Sequence, residues 1–243
     1  MSVWQLTNIQ KSYVKNTRLV LDNINLTVSK GERVGIIGAS GVGKSTLAAV
    51  GLGLLPRDSG EIFLLGQSTR QWKKADWSKA RKFVQILHQD PANSLDPFVT
   101  VSQFLNEAYR LHTQDQQVDH VQKTLRLLGI EHLSERKPAA LSGGERRRVG
   151  IAKLMMSRPR LVIADELTAG LDSATTLETI TALDAALPTD CAIVVISHDV
   201  QLVTRFTDRI YSMHNGQIIE SFQSNHSPKH PTTVALFQAA GIS

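Results

Sequence analysis

Cysteine is almost missing from this chain: Cys191 is the only one among 243 residues. No intramolecular disulfide can form, and no cysteine-bound cluster or cysteine-rich metal site has the ligands it needs. Cys191 opens an apolar run ending at Ile196, where it reads as a small residue of a buried strand. Aromatic residues are scarce as well, at 5%. No apolar run approaches the ~18–20 residues that a membrane helix needs, and no N-terminal basic-plus-apolar leader is present. The expectation is a soluble, intracellular chain, with any membrane-spanning part supplied by another polypeptide. The net charge of +5 is a mild basic bias. It suits anionic nucleotides, nucleic acid or a membrane surface and decides between none of them. The length allows one large domain or two subdomains around a substantial core.

What the chain does have is a set of short glycine- and acid-bearing stretches at the ends of apolar runs. The first spans Gly38, Ala39, Ser40, Gly41, Val42, Gly43, Lys44, Ser45 and Thr46. Arg33 to Ile37 before it reads as a buried strand, and Leu47 to Leu55 after it as a helix. In that context G-x-x-x-x-G-K-[ST] is a phosphate cradle. The glycines let the loop curl so that its N–H groups approach an anion. The helix presents its unpaired N–H groups and positive dipole end to the same anion. Lys44 adds a full charge near the β- and γ-phosphates, and the Ser45 hydroxyl can ligate Mg²⁺.

Residues 3–9 and 19–28 alternate in strand fashion, with Lys30-Gly31-Glu32 as a turn. Tyr13 between them is open to two readings: a ring stacked on a base, or a strand-end tyrosine packed on the surface. Glu61 to Leu65 reads as a strand. Residues 67–82 are charged, with Trp72 and Trp77 as anchors of a short surface helix. Phe83 to Leu87 reads as a buried strand that delivers His88-Gln89-Asp90-Pro91 to a loop. Loops beyond the carboxyl ends of parallel strands are where α/β proteins place ligands, and Gln89 can offer its carbonyl to Mg²⁺ or to an attacking water. Residues 101–112 and 115–128 carry apolar side chains at helical spacing, with Gly129 as a stop.

At Leu141, Ser142, Gly143, Gly144 and Glu145 a second glycine motif opens a helix. Ser142 and Glu145 make a capping-box pattern. The two glycines also leave N–H groups suited to a phosphate. Arg146-Arg147-Arg148 reads as a solvated or inter-subunit face, with a nucleic-acid patch as the alternative. Leu161 to Asp165 is an apolar run that ends in two carboxylates, Asp165 and Glu166. As a parallel strand it is expected beside the strand feeding the glycine loop. Asp165 then faces Mg²⁺ through water beside Ser45, and Glu166 polarises the water that attacks the γ-phosphate. Asp172 can cap a helix over 173–187. His198 ends the strand begun at Cys191, where its imidazole can hydrogen-bond a γ-phosphate oxygen. Residues 209–213 and 217–221 flank a hairpin turn, His214-Asn215-Gly216. A polar stretch with Pro228 and Pro231 then precedes a short apolar segment, Val234 to Ala240.

Taken in order, these elements resemble the nucleotide-binding subunit of an ABC transporter over nearly the whole chain. Gly38 to Thr46 resembles Walker A, a P-loop; Gln89 the Q-loop; Leu141 to Glu145 the signature motif; Leu161 to Asp165 Walker B. Glu166 resembles the catalytic glutamate, Ala169 to Asp172 the D-loop at the dimer interface, His198 the switch histidine and Tyr13 the adenine-stacking aromatic. Gln89-Asp90-Pro91 with Ser94-Leu95-Asp96-Pro97 is similar to importers of the oligopeptide, dipeptide and nickel type, as is Lys229-His230-Pro231-Thr232. Two departures stand out. Glu145 replaces the family's glutamine, adding a negative charge near nucleotide, and Leu167 stands where proline often follows the glutamate.

The resemblance implies an α/β P-loop ATPase core: a parallel sheet, an antiparallel β subdomain and an inserted α-helical subdomain. Core segments are expected over 1–89 and 157–222, helices with the signature motif over 90–156, and a tail over 223–243. It implies ATP and Mg²⁺ as ligands and ATP hydrolysis as the activity. The implied partners are a second ATPase subunit, by the subfamily's pattern a different chain, two membrane-spanning permease subunits and, indirectly, an extracytoplasmic substrate-binding protein. Nucleic acid is not among them. The implied location is peripheral, on the cytoplasmic face of the inner membrane. A soluble ABC ATPase acting on nucleic acid or ribosomes is the alternative from another class, and an exporter ATPase is closer in chemistry. No heptad coiled coil lies between Lys44 and Ser142, which argues against the DNA-repair relatives.

Overall fold

The computed structural model describes residues 1–14, 19–87, 95–112, 119–165, 181, 183–185 and 187–242. In chain order its strands and α-helices are β1 (Ser2–Lys11), β2 (Leu21–Ser29), β3 (Arg33–Ile37), α1 (Lys44–Gly51), β4 (Ser59–Leu64), β5 (Gln67–Ser68), α2 (Lys74–Arg81), β6 (Val84–Leu87), α3 (Val101–His112), α4 (Asp119–Leu127), α5 (Gly143–Ser157), β7 (Leu161–Asp165), β8 (Ala192–Ile196), α6 (Val200–Phe206), β9 (Arg209–His214), β10 (Gln217–Gln223) and α7 (Pro231–Ala239). The chain divides into two units: Met1–Ile86 with Arg160–Glu166 and Asp190–Ser243, and Leu87–Pro159 with Leu167–Thr189. No helix among the described residues is long and apolar enough to cross a membrane.

The first unit holds two sheets. One is antiparallel, ordered β2-β1-β4-β5. Its alternation is interrupted once for a reason. Leu6 and Ile9 are three apart, so in a regular strand they would face opposite sides. Yet Leu6 pairs with Leu26 and Ile9 with Ile24, two apart on β2, so β1 carries one extra residue there. Asn8 takes it up at φ 51°, a left-handed conformation that asparagine tolerates. Both side chains therefore stay in the core.

The second sheet is ordered β10-β9-β3-β8-β7-β6. β3 runs parallel to β8 and β9, and β7 parallel to β8, while β9 and β10 form the closing antiparallel hairpin. All five residues of β8 are buried, as the unbroken apolar run of a doubly covered parallel strand requires. This order corrects one expectation. β7 does not lie beside β3, because β8 is inserted between them. The apolar run from Cys191 to Ile196 is the more completely buried of the two candidates and takes the central place.

Two helix boundaries also differ from the sequence pattern. α1 begins at Lys44, not Leu47, and stops at Gly51. The chain then turns through Gly53, whose N–H bonds the Val50 carbonyl at 3.0 Å with φ 66°, so Leu52 to Leu55 lie outside the helix. The apolar segment from Val234 is part of α7, with Pro231 in its first turn and His230 as cap, whose Nδ1 accepts from the Thr232 N–H at 3.2 Å. Phe237 anchors it, 5.8 Å from the Phe222 ring.

The second unit packs α3, α4 and α5 around Leu105, Leu125, Ile130 and Val149, all fully buried. α4 ends where Gly129, at φ 64°, bonds back to Arg126 and Ile130 bonds back to Leu125. That is a glycine-terminated helix C-terminus.

Candidate functional site

The loop between β3 and α1 is shaped by its glycines. Gly43 caps α1 at φ 108°, and a Cβ there would stand 2.7 Å from the Val20 carbonyl oxygen. At Gly38 a Cβ would stand 2.5 Å from the Met213 carbonyl oxygen. Only glycine fits either place. Gly43 has no side chain to cap the helix, and the first turn of α1 holds no acid. The helix N-terminus is thus left without a side-chain partner, the arrangement that suits an anion. Lys44 is buried, and its ammonium donates to the Gly38 carbonyl at 2.8 Å and the Ala39 carbonyl at 3.1 Å. Its charge is held inside the loop. Ala39, Ser40, Gly41 and Ser45 are exposed around it.

Ser45 and Asp165 meet. The Ser45 hydroxyl donates to Asp165 Oδ1 at 3.3 Å, across 120 positions of sequence. They come together because α1 starts, and β7 ends, at the carboxyl edge of the same sheet, where Asp165 pairs in register with Ile196. A hydroxyl and a carboxylate side by side are hard oxygen ligands of the kind Mg²⁺ takes.

Tyr13 is 63% exposed, and its hydroxyl lies 3.0 Å from Thr46 Oγ1. The ring therefore stands, largely exposed, at the first turn of α1. His198 is exposed two residues past the buried end of β8. Sequence reasoning overlooked what positions it. Ser197 Oγ accepts the Asp199 N–H at 3.0 Å, and Asp199 caps α6 by accepting the Leu202 N–H at 3.0 Å. The signal was available, since Asp is a favoured cap residue before an apolar run. Gln89, Glu166 and Asp172 lie outside the described residues.

In the second unit the capping box forms. Glu145 N–H donates to Ser142 Oγ at 3.3 Å, and Ser142 N–H donates to Glu145 Oε2 at 2.7 Å. Hydrogen bonding of its carboxylate by the Ser142 backbone N–H and then by the Ser142 hydroxyl holds the Glu145 carboxyl below the usual carboxylate range, helped by Arg136 and His132. Its charge is thus spent on the helix start and on His132, 3.7 Å away. No spacing rule would have linked His132 to Glu145. A Cβ on Gly143 or Gly144 would meet nothing within 4 Å, so the chain's own packing does not require glycine at either position. The arginine triplet is divided. Arg146 Nη1 donates to the Leu141 carbonyl at 2.9 Å, Arg147 is half-buried, and Arg148 is exposed.

A phosphate-cradling loop between β3 and α1, with a serine and an aspartate brought together at the sheet edge, defines the P-loop nucleotide-binding class. Comparison with known proteins narrows this. The family model described as ABC transporter matches residues 21–169. The oligopeptide transport ATP-binding protein OppF of Salmonella typhimurium is 31% identical, covering 93% of this chain and 70% of that protein. The nickel import ATP-binding protein NikE of Pseudomonas putida is 35% identical over 85% of this chain and 78% of that protein. Among solved structures, cbiO1 of Clostridium perfringens, part of the ABC transporter complex cbiONQ, superposes with a TM-score of 0.82 at 28% identity, covering 92% of this chain and 89% of its own. The ATP-binding cassette MJ0796, in a dimeric post-hydrolysis state with ADP and Pi, gives 0.75 at 25% identity, covering 92% and 100%. The chain belongs to the ABC transporter family, and it is an ATP-binding, ATP-hydrolysing cassette of that family.

Proposed function

We propose that this chain is the ATPase subunit that drives an importer of peptides or of nickel and other metal chelates. The relatives named for oligopeptide and nickel transport support this reading, and so do Gln89-Asp90-Pro91 and Ser94-Leu95-Asp96-Pro97 in the sequence. The observation that carries the ATP chemistry is the Ser45–Asp165 contact at the uncapped N-terminus of α1.

The phosphates of ATP lie on Gly38 to Thr46, with Lys44 turning from the loop carbonyls to the β- and γ-phosphates and Tyr13 stacking on the base. Ser45 and Gln89 would hold Mg²⁺, with Asp165 reaching it through water; when bound it would supply positive charge against the phosphates. Glu166 takes a proton from the attacking water, and His198 donates to a γ-phosphate oxygen. Ser142, Gly143, Gly144 and Glu145 cap the nucleotide of a second ATPase subunit, by the subfamily's pattern a different chain, with Asp172 in the contact between the two. The open space at Gly143 and Gly144 supports this: their bare backbone is left for a group from outside. Closing of this pair pulls on two membrane-spanning permease subunits, served by an extracytoplasmic binding protein. The chain sits peripherally at the cytoplasmic face.

Purification of the tagged chain under mild detergent tests this. Recovery of permease subunits with ATP-dependent hydrolysis is the expected result. Recovery of ribosomes or nucleic acid without permeases overturns it.

A further inference from the structure

The chain's net charge of +5 is not spread over its surface. Residues 70–82 contain Arg70, Lys73, Lys74, Lys79, Arg81 and Lys82 against one acid, Asp76, and so carry net +5 by themselves; the other 230 residues hold 21 cations and 21 acids. All six cations are exposed. Among the described residues only Arg70 has an ion pair, with Glu61 at 3.5 Å. The one acid is used locally, since Asp76 accepts the Lys73 N–H at 2.9 Å to cap α2. Like charges gathered this way repel one another and are stabilised by an anionic partner.

The segment is rigidly seated. Ala80 is buried, Trp77 packs against the core and against Gly53, and Trp72 and Trp77 meet edge to face at 4.9 Å. This turns Lys74, Lys79, Arg81 and Lys82 outward together. Two apolar side chains near the patch stand exposed. Leu54, beside Gly53, is 48% exposed, and Phe83 is 39% exposed under the Arg160 guanidinium at 5.0 Å. A cleft of about 270 Å³ opens between Trp72, Asp76, Lys79, Phe83 and Arg160, pairing apolar walls with two cations and one acid.

We propose that this face binds the anionic surface of a lipid bilayer directly, in addition to any hold through permease partners. Clustered lysines and arginines attract anionic headgroups, and exposed apolar side chains at the rim enter the headgroup zone. Four of the six cations are lysines, point charges suited to a diffuse anionic surface rather than to bidentate base recognition. Both tryptophans are engaged in packing and the Phe83 ring already carries the Arg160 guanidinium, which leaves a single-stranded nucleic acid little to stack on. The inference stands apart from the transport reading, because it concerns the chain alone.

Co-sedimentation of the purified full-length chain with vesicles tests it. Vesicles of phosphatidylcholine with about 30% phosphatidylglycerol should bind it at low salt, and pure phosphatidylcholine should not. A variant with Lys74, Lys79, Arg81 and Lys82 all changed to Gln should partition about 600-fold less, on the order of five-fold for each charge. A control with Arg110, Lys123, Arg205 and Lys229 changed to Gln has the same net charge and should partition like the wild type. Both should keep wild-type nucleotide binding and melting temperature. Equal partitioning of the two variants, no preference for the anionic vesicles, or displacement from them by stoichiometric RNA or polyglutamate overturns the proposal.

Discussion

The Ser45 hydroxyl donates to Asp165 Oδ1 at 3.3 Å although their elements, α1 after β3 and β7, belong to strands with β8 between them. Sheet twist and the common carboxyl edge close the gap. In the proposed site this pair is the seat of Mg²⁺. Asp165→Asn keeps the size and removes the charge, so nucleotide affinity measured with EDTA should stay within about two-fold of wild type. The gain on adding Mg²⁺ should fall about ten-fold, as expected for losing one charged group that reaches the ion through water. Titration with a fluorescent ATP analogue, with and without Mg²⁺, reads both numbers. An undiminished Mg²⁺ effect would remove Asp165 from the site.

Lys44 spends its charge on two backbone carbonyls of the loop. Those bonds hold the ammonium in the cradle, so little reorganisation is needed when phosphates arrive. Lys44→Ala should weaken ATP binding by about ten-fold to 100-fold, in line with one lost charge-assisted contact. Calorimetric titration measures it, with circular dichroism to confirm the fold. Unchanged affinity would refute the phosphate role.

Glu166 is the residue proposed to take the proton of the attacking water. Glu166→Gln preserves shape and hydrogen bonding but cannot accept that proton at neutral pH. In the assembled complex it should bind ATP with wild-type affinity and lose turnover by about 100-fold or more. Phosphate release is the readout. Wild-type turnover in this variant would move the base elsewhere.

The phosphate loop and the Ser45–Asp165 pair of the candidate site were legible because their parts are local. Gly38 to Thr46 and Leu161 to Asp165 each declare strand, loop and charge within ten residues, and packing only had to bring the two ends together. What was not legible depended on pairing across long distances. Strand order is chosen by which apolar run can be buried on both faces, and β8 won the centre over β7 through a comparison that no single segment contains. The shift at Asn8 likewise follows from the register with β2, not from Asn8 itself. Asp199 was legible by its cap position and was passed over for the histidine before it. His132 beside Glu145 was not, since the two meet only through the turns between α4 and α5.

Glu145 offers a test that a merely solvent-facing acid would fail. Its carboxylate accepts the Ser142 N–H at 2.7 Å and lies at the positive end of α5, which lowers its proton affinity in the folded state. A carboxyl whose folded value is depressed adds stability above its unfolded value, and that stability is lost as pH falls through the folded one. Glu145→Gln keeps an acceptor for the Ser142 N–H but removes the charge. The wild type should therefore melt at a higher temperature than Glu145→Gln at neutral pH, and the difference should shrink as the pH falls below the ordinary carboxylate range and vanish once it has passed below the lowered folded value. Scanning calorimetry across that range measures it. A difference that stays constant with pH would mean that the carboxylate is not engaged at the helix start, and that its charge remains free to face the nucleotide.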